Sequence, residues 1–152
     1  GFRATLARAW AFKVDNRIKE PLWRLAVDAI PGGRFRNWTC PCGTAAHGST
    51  GRQHSFWDCP VAAAVRTQLE DPRLPGGPAP AAAQPHVWLL QRPGAAASWP
   101  VLALCAVAAM EYGRSVLWAR AHSATPTPCP VREAGNLAVA RFWCLVEEVD
   151  LL

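Results

Sequence analysis

Three cysteines and one histidine form the pattern C-x-C-x11-H-x4-C, at Cys40, Cys42, His54 and Cys59. Cysteine and histidine in two closely spaced pairs, one on each side of a loop, are the usual tetrahedral ligands of zinc. Gly43 allows the backbone to turn back beneath an ion. Residues 34–59 are too polar and glycine-rich to form a core alone. The pattern therefore predicts a small, irregular zinc knuckle whose ion stabilises this segment.

His47 is a competing ligand, because it follows Cys42 at C-x4-H spacing. His54 is preferred as the ligand, since its spacing to Cys59 is a recurrent knuckle spacing. The alternative to a metal site is that these cysteines are free thiols or form a disulfide. Four protein ligands leave no position for water, so the predicted zinc is structural and not catalytic.

Three further cysteines have no such grouping. Cys105 and Cys144 fall within predicted helices, where small core residues are expected, and Cys129 lies between helices. This cysteine usage suits a reducing compartment.

Apolar periodicity predicts five helices, over residues 4–19, 21–30, 60–69, 100–121 and 132–149. Pro21 is expected to end the first helix and open the second. Residues 71–85 contain five prolines and two glycines, which predicts a linker. The expected fold is mainly α, with a basic helical and zinc-knuckle module at 1–70. An apolar helical module at 86–152 is expected to pack on the first.

The longest apolar run, Trp99–Met110, has 12 residues before Glu111 and Arg114 interrupt it. This length predicts a buried helix and no contact with a membrane. No nucleophile with a neighbouring base, no phosphate-binding glycine loop and no carboxylate pair suited to two-metal chemistry is visible in the sequence. We therefore expect neither an enzyme nor a small-molecule substrate.

Positive charge is concentrated in the first part of the chain. Residues 1–66 hold ten basic and four acidic side chains, against six and seven in 67–152. A basic surface suits a polyanion such as RNA. The predicted phosphate contacts are Arg34, Arg36 and Arg52, with a second basic strip at Lys13, Arg17 and Arg24.

Eight tryptophans serve two predicted roles. Six lie on or beside helical stripes and are expected in the core: Trp10, Trp23, Trp88, Trp99, Trp118 and Trp143. Trp57 is expected to cover the zinc knuckle. Trp38, near the arginines, has two open interpretations, as knuckle packing or as a ring that stacks on RNA bases.

The runs EPLWRLAVDAIPGGRFRNWTCPCG and HSFWDCPVAAAV carry a family resemblance, over about residues 19–66. This region resembles the zinc-binding C-terminal segment of non-LTR (LINE-type) reverse transcriptases. The matching positions are Leu22, Trp23, Arg24, Cys40, Cys42, His54, Phe56, Trp57, Cys59 and Pro60. The loop between Cys42 and His54 is longer than in the family pattern, which keeps His47 open as a ligand.

The resemblance implies binding to nucleic acid without the family's polymerase or endonuclease domains. We expect a structural, RNA-binding subunit of a ribonucleoprotein, beside neighbouring proteins of a larger assembly. An organellar ribosome, and hence the mitochondrion, is the favoured setting. Two alternatives stay open: a fragment of an active LINE-type reverse transcriptase, acting in the nucleus, and a protein–protein adaptor.

Overall fold

The computed structural model describes residues 2–13, 15–27, 40–43, 53–74, 85–90, 98–125 and 130–149. These ranges are mainly helical and contain no strand, as the sequence predicts. The helices are α1 (Phe2–Ala11), α2 (Asn16–Val27), α3 (Pro60–Gln68), α4 (Pro85–Leu90), α5 (Trp99–Ala121) and α6 (Val131–Glu148). A single π-helical turn, His54–Asp58, directly precedes α3.

The longest described helix, α5, lies at the centre of the fold. It packs against α1, α2, α3, α4 and α6, and its apolar residues from Leu102 to Met110 are almost all buried. By length and composition α5 could also cross a membrane, the single such helix among the described residues, and 61% of its most apolar stretch is buried inside the protein. Enclosure by neighbouring helices is what a core helix that is apolar on all sides requires.

Helices from both sides of the predicted linker share one hydrophobic core. The helices α3 and α6 pack together, as do α2 and α5. Leu25, Val61, Leu102 and Phe142, from these four helices, are fully buried. Burial of such side chains stabilises the fold by about 1.5–3 kcal/mol each.

The start of the chain differs from the predicted helices 4–19 and 21–30. The first helix ends at Ala11, and α2 begins at Asn16. The Asp15 carboxylate accepts a hydrogen bond of 2.8 Å from the backbone N–H of Arg17, which is the arrangement of a helix N-cap. This cap separates two helices that the periodic pattern joins into one.

Pro21 lies inside α2 and does not start it, contrary to the prediction. Proline lacks a backbone N–H, so α2 forms one hydrogen bond fewer at this position. The Pro21 ring is buried, and its helix packs against α5. Tertiary packing thus offsets the local preference of proline for a first turn. Residues 28–30 of the predicted second helix lie outside the described residues.

The later helices follow the prediction closely. The observed α3, α5 and α6 match 60–69, 100–121 and 132–149 to within one residue at each end. The short α4 was not predicted, and it starts at the last residue of the expected linker. Of that linker, residues 75–84 lie outside the described ranges, whereas Leu74 at its start is buried.

Three tryptophans expected in the core are exposed instead. The exposed fractions of Trp10, Trp23 and Trp118 are 46%, 50% and 56%. Trp10 on α1 and Trp23 on α2 meet edge-on with their ring centres 6.4 Å apart, and Trp118 lies in the last turn of α5 beside other exposed positions. Trp88 and Trp99 are buried as predicted.

The other residues that were expected in the core also differ in burial. Cys105 is buried, as expected, but Cys144 is exposed on α6 and is not a core residue. Trp143 is partly buried, and its indole N–H donates a hydrogen bond of 3.0 Å to the side-chain oxygen of Gln68. Periodicity places residues on a helix, but the neighbouring helices decide how much of each face is covered. Cys129 lies outside the described residues.

Candidate metal centre

A tight turn presents the first pair of predicted ligands. The N–H of Gly43 donates a hydrogen bond of 2.8 Å to the carbonyl of Cys40. Gly43 has a φ of 91°, a backbone conformation that side chains with a Cβ rarely adopt. The turn expected at this glycine is therefore present, and it holds Cys40 and Cys42 close together.

The π-helical turn presents the second pair. The N–H of Cys59 donates a hydrogen bond of 2.8 Å to the carbonyl of His54, five residues earlier. This wide turn places His54 and Cys59 on the same side, and π-helical turns often occur at functional sites. Cys59 is then the N-cap residue of α3, and Pro60 occupies the first turn, where its missing N–H costs nothing. The H-x4-C-P spacing is the one feature of the sequence that could have indicated this turn.

The four ligand atoms form a compact cluster, all within 4.8 Å of one another. The Sγ atoms of Cys40 and Cys59 are 3.9 Å apart, and Cys42 Sγ lies 3.4 Å from His54 Nε2. A tetrahedral zinc ion with its usual bond lengths would separate two sulfurs by about 3.8 Å and a sulfur from a nitrogen by about 3.6 Å. Both measured distances are close to these values, and the four side chains lie near enough to one another to hold a metal ion.

The cluster contains no disulfide, since Cys40, Cys42 and Cys59 are all free thiols. A disulfide would require sulfurs about 2.05 Å apart. Cys40, Cys59 and His54 are buried, and Cys42 is half-buried. The structure thus joins the four predicted ligands in a largely enclosed site that can hold a metal ion. His47, the competing ligand, lies outside the described residues.

The two buried sulfurs perturb each other. The hydrogen bond with the Cys40 thiol, together with His54 and Arg114, lowers the pKa of Cys59 to about 3. The same hydrogen bond and burial raise the pKa of Cys40. The contact therefore favours the thiolate form of Cys59, and the thiolate is the form that binds metal ions.

Arg114 is a buried cation beside this cluster, with an exposed fraction of 4%. It extends from α5 and donates a hydrogen bond to the carbonyl of Ser55 in the π-helical turn. It also donates to Glu111 Oε1 at 2.9 Å and lies 5.5 Å from the centre of the Phe56 ring. A divalent ion with three thiolates carries net negative charge, which a neighbouring guanidinium offsets.

Sequence reasoning missed the role of Arg114. The one relevant feature was an arginine near the middle of a predicted buried helix. Its partner Ser55 lies 59 residues earlier in the chain, and no periodic pattern connects the two positions. The contact depends on how α5 crosses the π-helical turn.

Aromatic side chains pack against the π-helical turn that carries His54. Trp57 is 3% exposed, and its ring meets that of Trp88 edge-on at 5.5 Å. Trp88 in turn meets Trp99 at 5.3 Å, and the Arg66 guanidinium lies 4.3 Å from the Trp57 ring. Trp57 is therefore a packing residue rather than an exposed ring, and these rings link the π-helical turn to α4 and α5.

The predicted RNA contacts are only partly within the described residues. Lys13 and Arg17 are exposed, and Arg24 forms a 2.6 Å ion pair with Glu20. The four other predicted contacts lie outside the described residues: Arg34, Arg36, Arg52 and Trp38.

No family model, no curated protein and no solved structure matches this chain. The candidate metal centre is therefore defined by its own residues and geometry, and the resemblance to LINE-type reverse transcriptases is carried by the sequence motifs alone.

Proposed function

We propose that this protein is a non-catalytic, zinc-stabilised, RNA-binding subunit of a ribonucleoprotein. The observation that carries the proposal is the enclosed cluster of three cysteines and one histidine, connected to helices that carry exposed basic residues. Thiolate-rich tetrahedral sites favour zinc over magnesium or calcium, which prefer oxygen ligands.

A closed ligand set supports a structural role for the ion. All four tetrahedral positions are filled by protein side chains, so no position remains for a reacting water. The free energy of metal binding then stabilises the folded segment directly. Three thiolate ligands also suit a reducing compartment.

RNA is the partner that we propose, because the chain has a net charge of +5 concentrated before residue 67. Exposed Lys13 and Arg17 belong to this basic region. The motif resemblance to a reverse transcriptase tail supports a nucleic-acid partner as well. For a module of this size we favour an organellar ribosome as the assembly, with its structural RNA as the partner.

The test is crosslinking of the protein to nucleic acid in its native cells, followed by sequencing of the attached strands. We expect recovery of an abundant structural RNA at one fixed position. Recovery of retroelement RNA or genomic target DNA would instead support a working fragment of a mobile element. Absence of any crosslinked nucleic acid above background would contradict the proposal.

One observation favours the adaptor as a second candidate. Leu6, Ala7, Trp10 and Trp23 line an apolar surface pocket of about 490 Å³. The two indole rings meet at 6.4 Å, and both are half-exposed. A double Trp10→Ala and Trp23→Ala variant that loses its protein neighbours but keeps its crosslinked RNA would assign this pocket to a protein partner.

A further inference from the structure

We propose that a groove between α2, α5 and α6 binds single-stranded RNA, with phosphates at its arginines and a base on Tyr112. The inference rests on the proposed function and combines Arg17 and Arg24 of the predicted basic strip with Tyr112 and Arg141, which the sequence did not indicate. The groove has a volume of about 510 Å³. Its polar lining includes Arg17 and Arg24 from α2, Tyr112 and Ser115 from α5, and Arg141 from α6.

Charge in the groove is positive and only partly compensated. Its two carboxylates are already paired, Glu20 with Arg24 at 2.6 Å and Glu111 with the buried Arg114 at 2.9 Å. Arg17 and Arg141 form no ion pair with any residue in the described part of the chain. Two guanidinium groups therefore remain for phosphate oxygens, which they bind with charge-assisted hydrogen bonds.

An aromatic ring lies beside one of these charges. Tyr112 is 41% exposed, and the Arg141 guanidinium lies 5.8 Å from its ring centre. Exposed aromatic rings beside arginine stack on unpaired bases, whereas bases in a duplex are hidden within the helix. Ile18 and Ala108 add apolar surface to the lining of the groove. An exposed ring beside an arginine therefore favours single-stranded RNA over double-stranded RNA.

The experiment measures binding of the zinc-loaded full chain to a labelled oligouridine by fluorescence anisotropy, at several salt concentrations. Tyr112→Ala should weaken binding about ten-fold, since loss of base stacking has about that effect. Arg141→Gln should weaken binding and reduce the salt slope by about 0.7, the value for one phosphate contact on a single strand. Tyr112→Phe keeps the ring and should bind within two-fold of the wild type.

Arg132→Gln is the matched control, because it removes the same charge from an exposed position of α6 outside the groove lining. It should bind within two-fold of the wild type. Thermal unfolding of every variant checks the fold. Photocrosslinking with mass spectrometry adds a readout on the wild type, in which uridine adducts on Tyr112 are expected.

The outcomes separate the two proposals. If the wild type binds oligouridine but Tyr112→Ala and Arg141→Gln bind as well as Arg132→Gln, the groove is not the RNA-binding site. The proposed RNA-binding function is then unaffected. Adducts confined to residues 34–52 would overturn the groove in the same way. If the wild type binds neither oligouridine nor cellular RNA, the proposed function fails and the groove assignment fails with it.

Discussion

Arg114 connects the candidate metal centre to the central helix. Its guanidinium is buried and donates to the Ser55 carbonyl and to Glu111. A buried charge is tolerated only when partners surround it, and here the partners are a carboxylate, a carbonyl and the nearby sulfurs. The residue therefore contributes both to packing and to the charge balance of the site.

Arg114→Gln should lower the free energy of unfolding by about 3–5 kcal/mol, since it removes the buried cation and leaves Glu111 without its partner. Affinity for zinc should fall about 10- to 100-fold, the usual effect of losing an outer-shell partner. Denaturant unfolding of the zinc-loaded protein and competition with a chelator measure the two effects.

Arg120→Gln provides the comparison for this change. Arg120 forms an exposed 3.0 Å ion pair with Glu133, and exposed pairs contribute about 0–1 kcal/mol. Equal stability and equal zinc affinity in the two variants would contradict the role given to Arg114.

Lys19 is a second buried charged residue, and it connects α2 to the end of α1. Its side chain is buried, and Nζ donates a hydrogen bond of 2.6 Å to the carbonyl of Trp10 at the end of α1. Carbonyls in the last turn of a helix lack internal partners, so Lys19 satisfies one of them. The contact fixes α2 against the end of α1.

At the scale of helices, Gly113 permits a close approach of three helices. A Cβ built on this residue of α5 would lie 2.5 Å from Val61 Cγ1 and 2.8 Å from the Cβ of Ala138. Those atoms belong to α3 and α6, so three helices meet at this glycine. A side chain of any size would force them apart.

Gly113→Ala should lower the free energy of unfolding by about 1–3 kcal/mol, the usual cost of overpacking a core. Gly135→Ala on α6 is the matched control, because its new Cβ would come no closer than 3.4 Å to Ala64. Alanine favours a helix over glycine by about 1 kcal/mol, so the control should be neutral or stabilising. Thermal denaturation measures both, and a more stable Gly113→Ala variant would refute the close crossing.

At the scale of the whole molecule, the metal segment and the helical core are one packed unit. Phe56, Trp57 and Cys59 belong to the same buried cluster as Leu102 and Phe142. Loss of the ion should therefore affect more than the segment that binds it.

Removing zinc with a chelator should lower the unfolding temperature of the whole protein, because metal binding favours only the folded state. Cys40→Ser should have the same effect, while Cys144→Ser should not, since Cys144 is exposed and outside the cluster. Calorimetry and the zinc-to-protein ratio measure these changes. A ratio near zero in protein purified without chelator would reject the ligand assignment.

Local patterns predicted much of this fold. The bounds of α3, α5 and α6 follow from apolar periodicity and flanking prolines, and the ligand cluster follows from the spacing of Cys40, Cys42, His54 and Cys59. The N-cap at Asp15 was also local, but the continuous apolar stripe concealed it. Such features depend on residues a few positions apart, which a sequence displays directly.

The sequence by itself therefore determined the helical class, the later helices and the four candidate ligands. Only the tertiary structure decided that Trp10 and Trp23 are exposed, that Arg114 lies beside the cysteines and that Arg17 and Arg141 face one groove. Periodicity identifies the faces of each helix, but it does not encode how the helices cross. Contacts between residues far apart in the chain depend on those crossings, because close packing in three dimensions determines which faces meet.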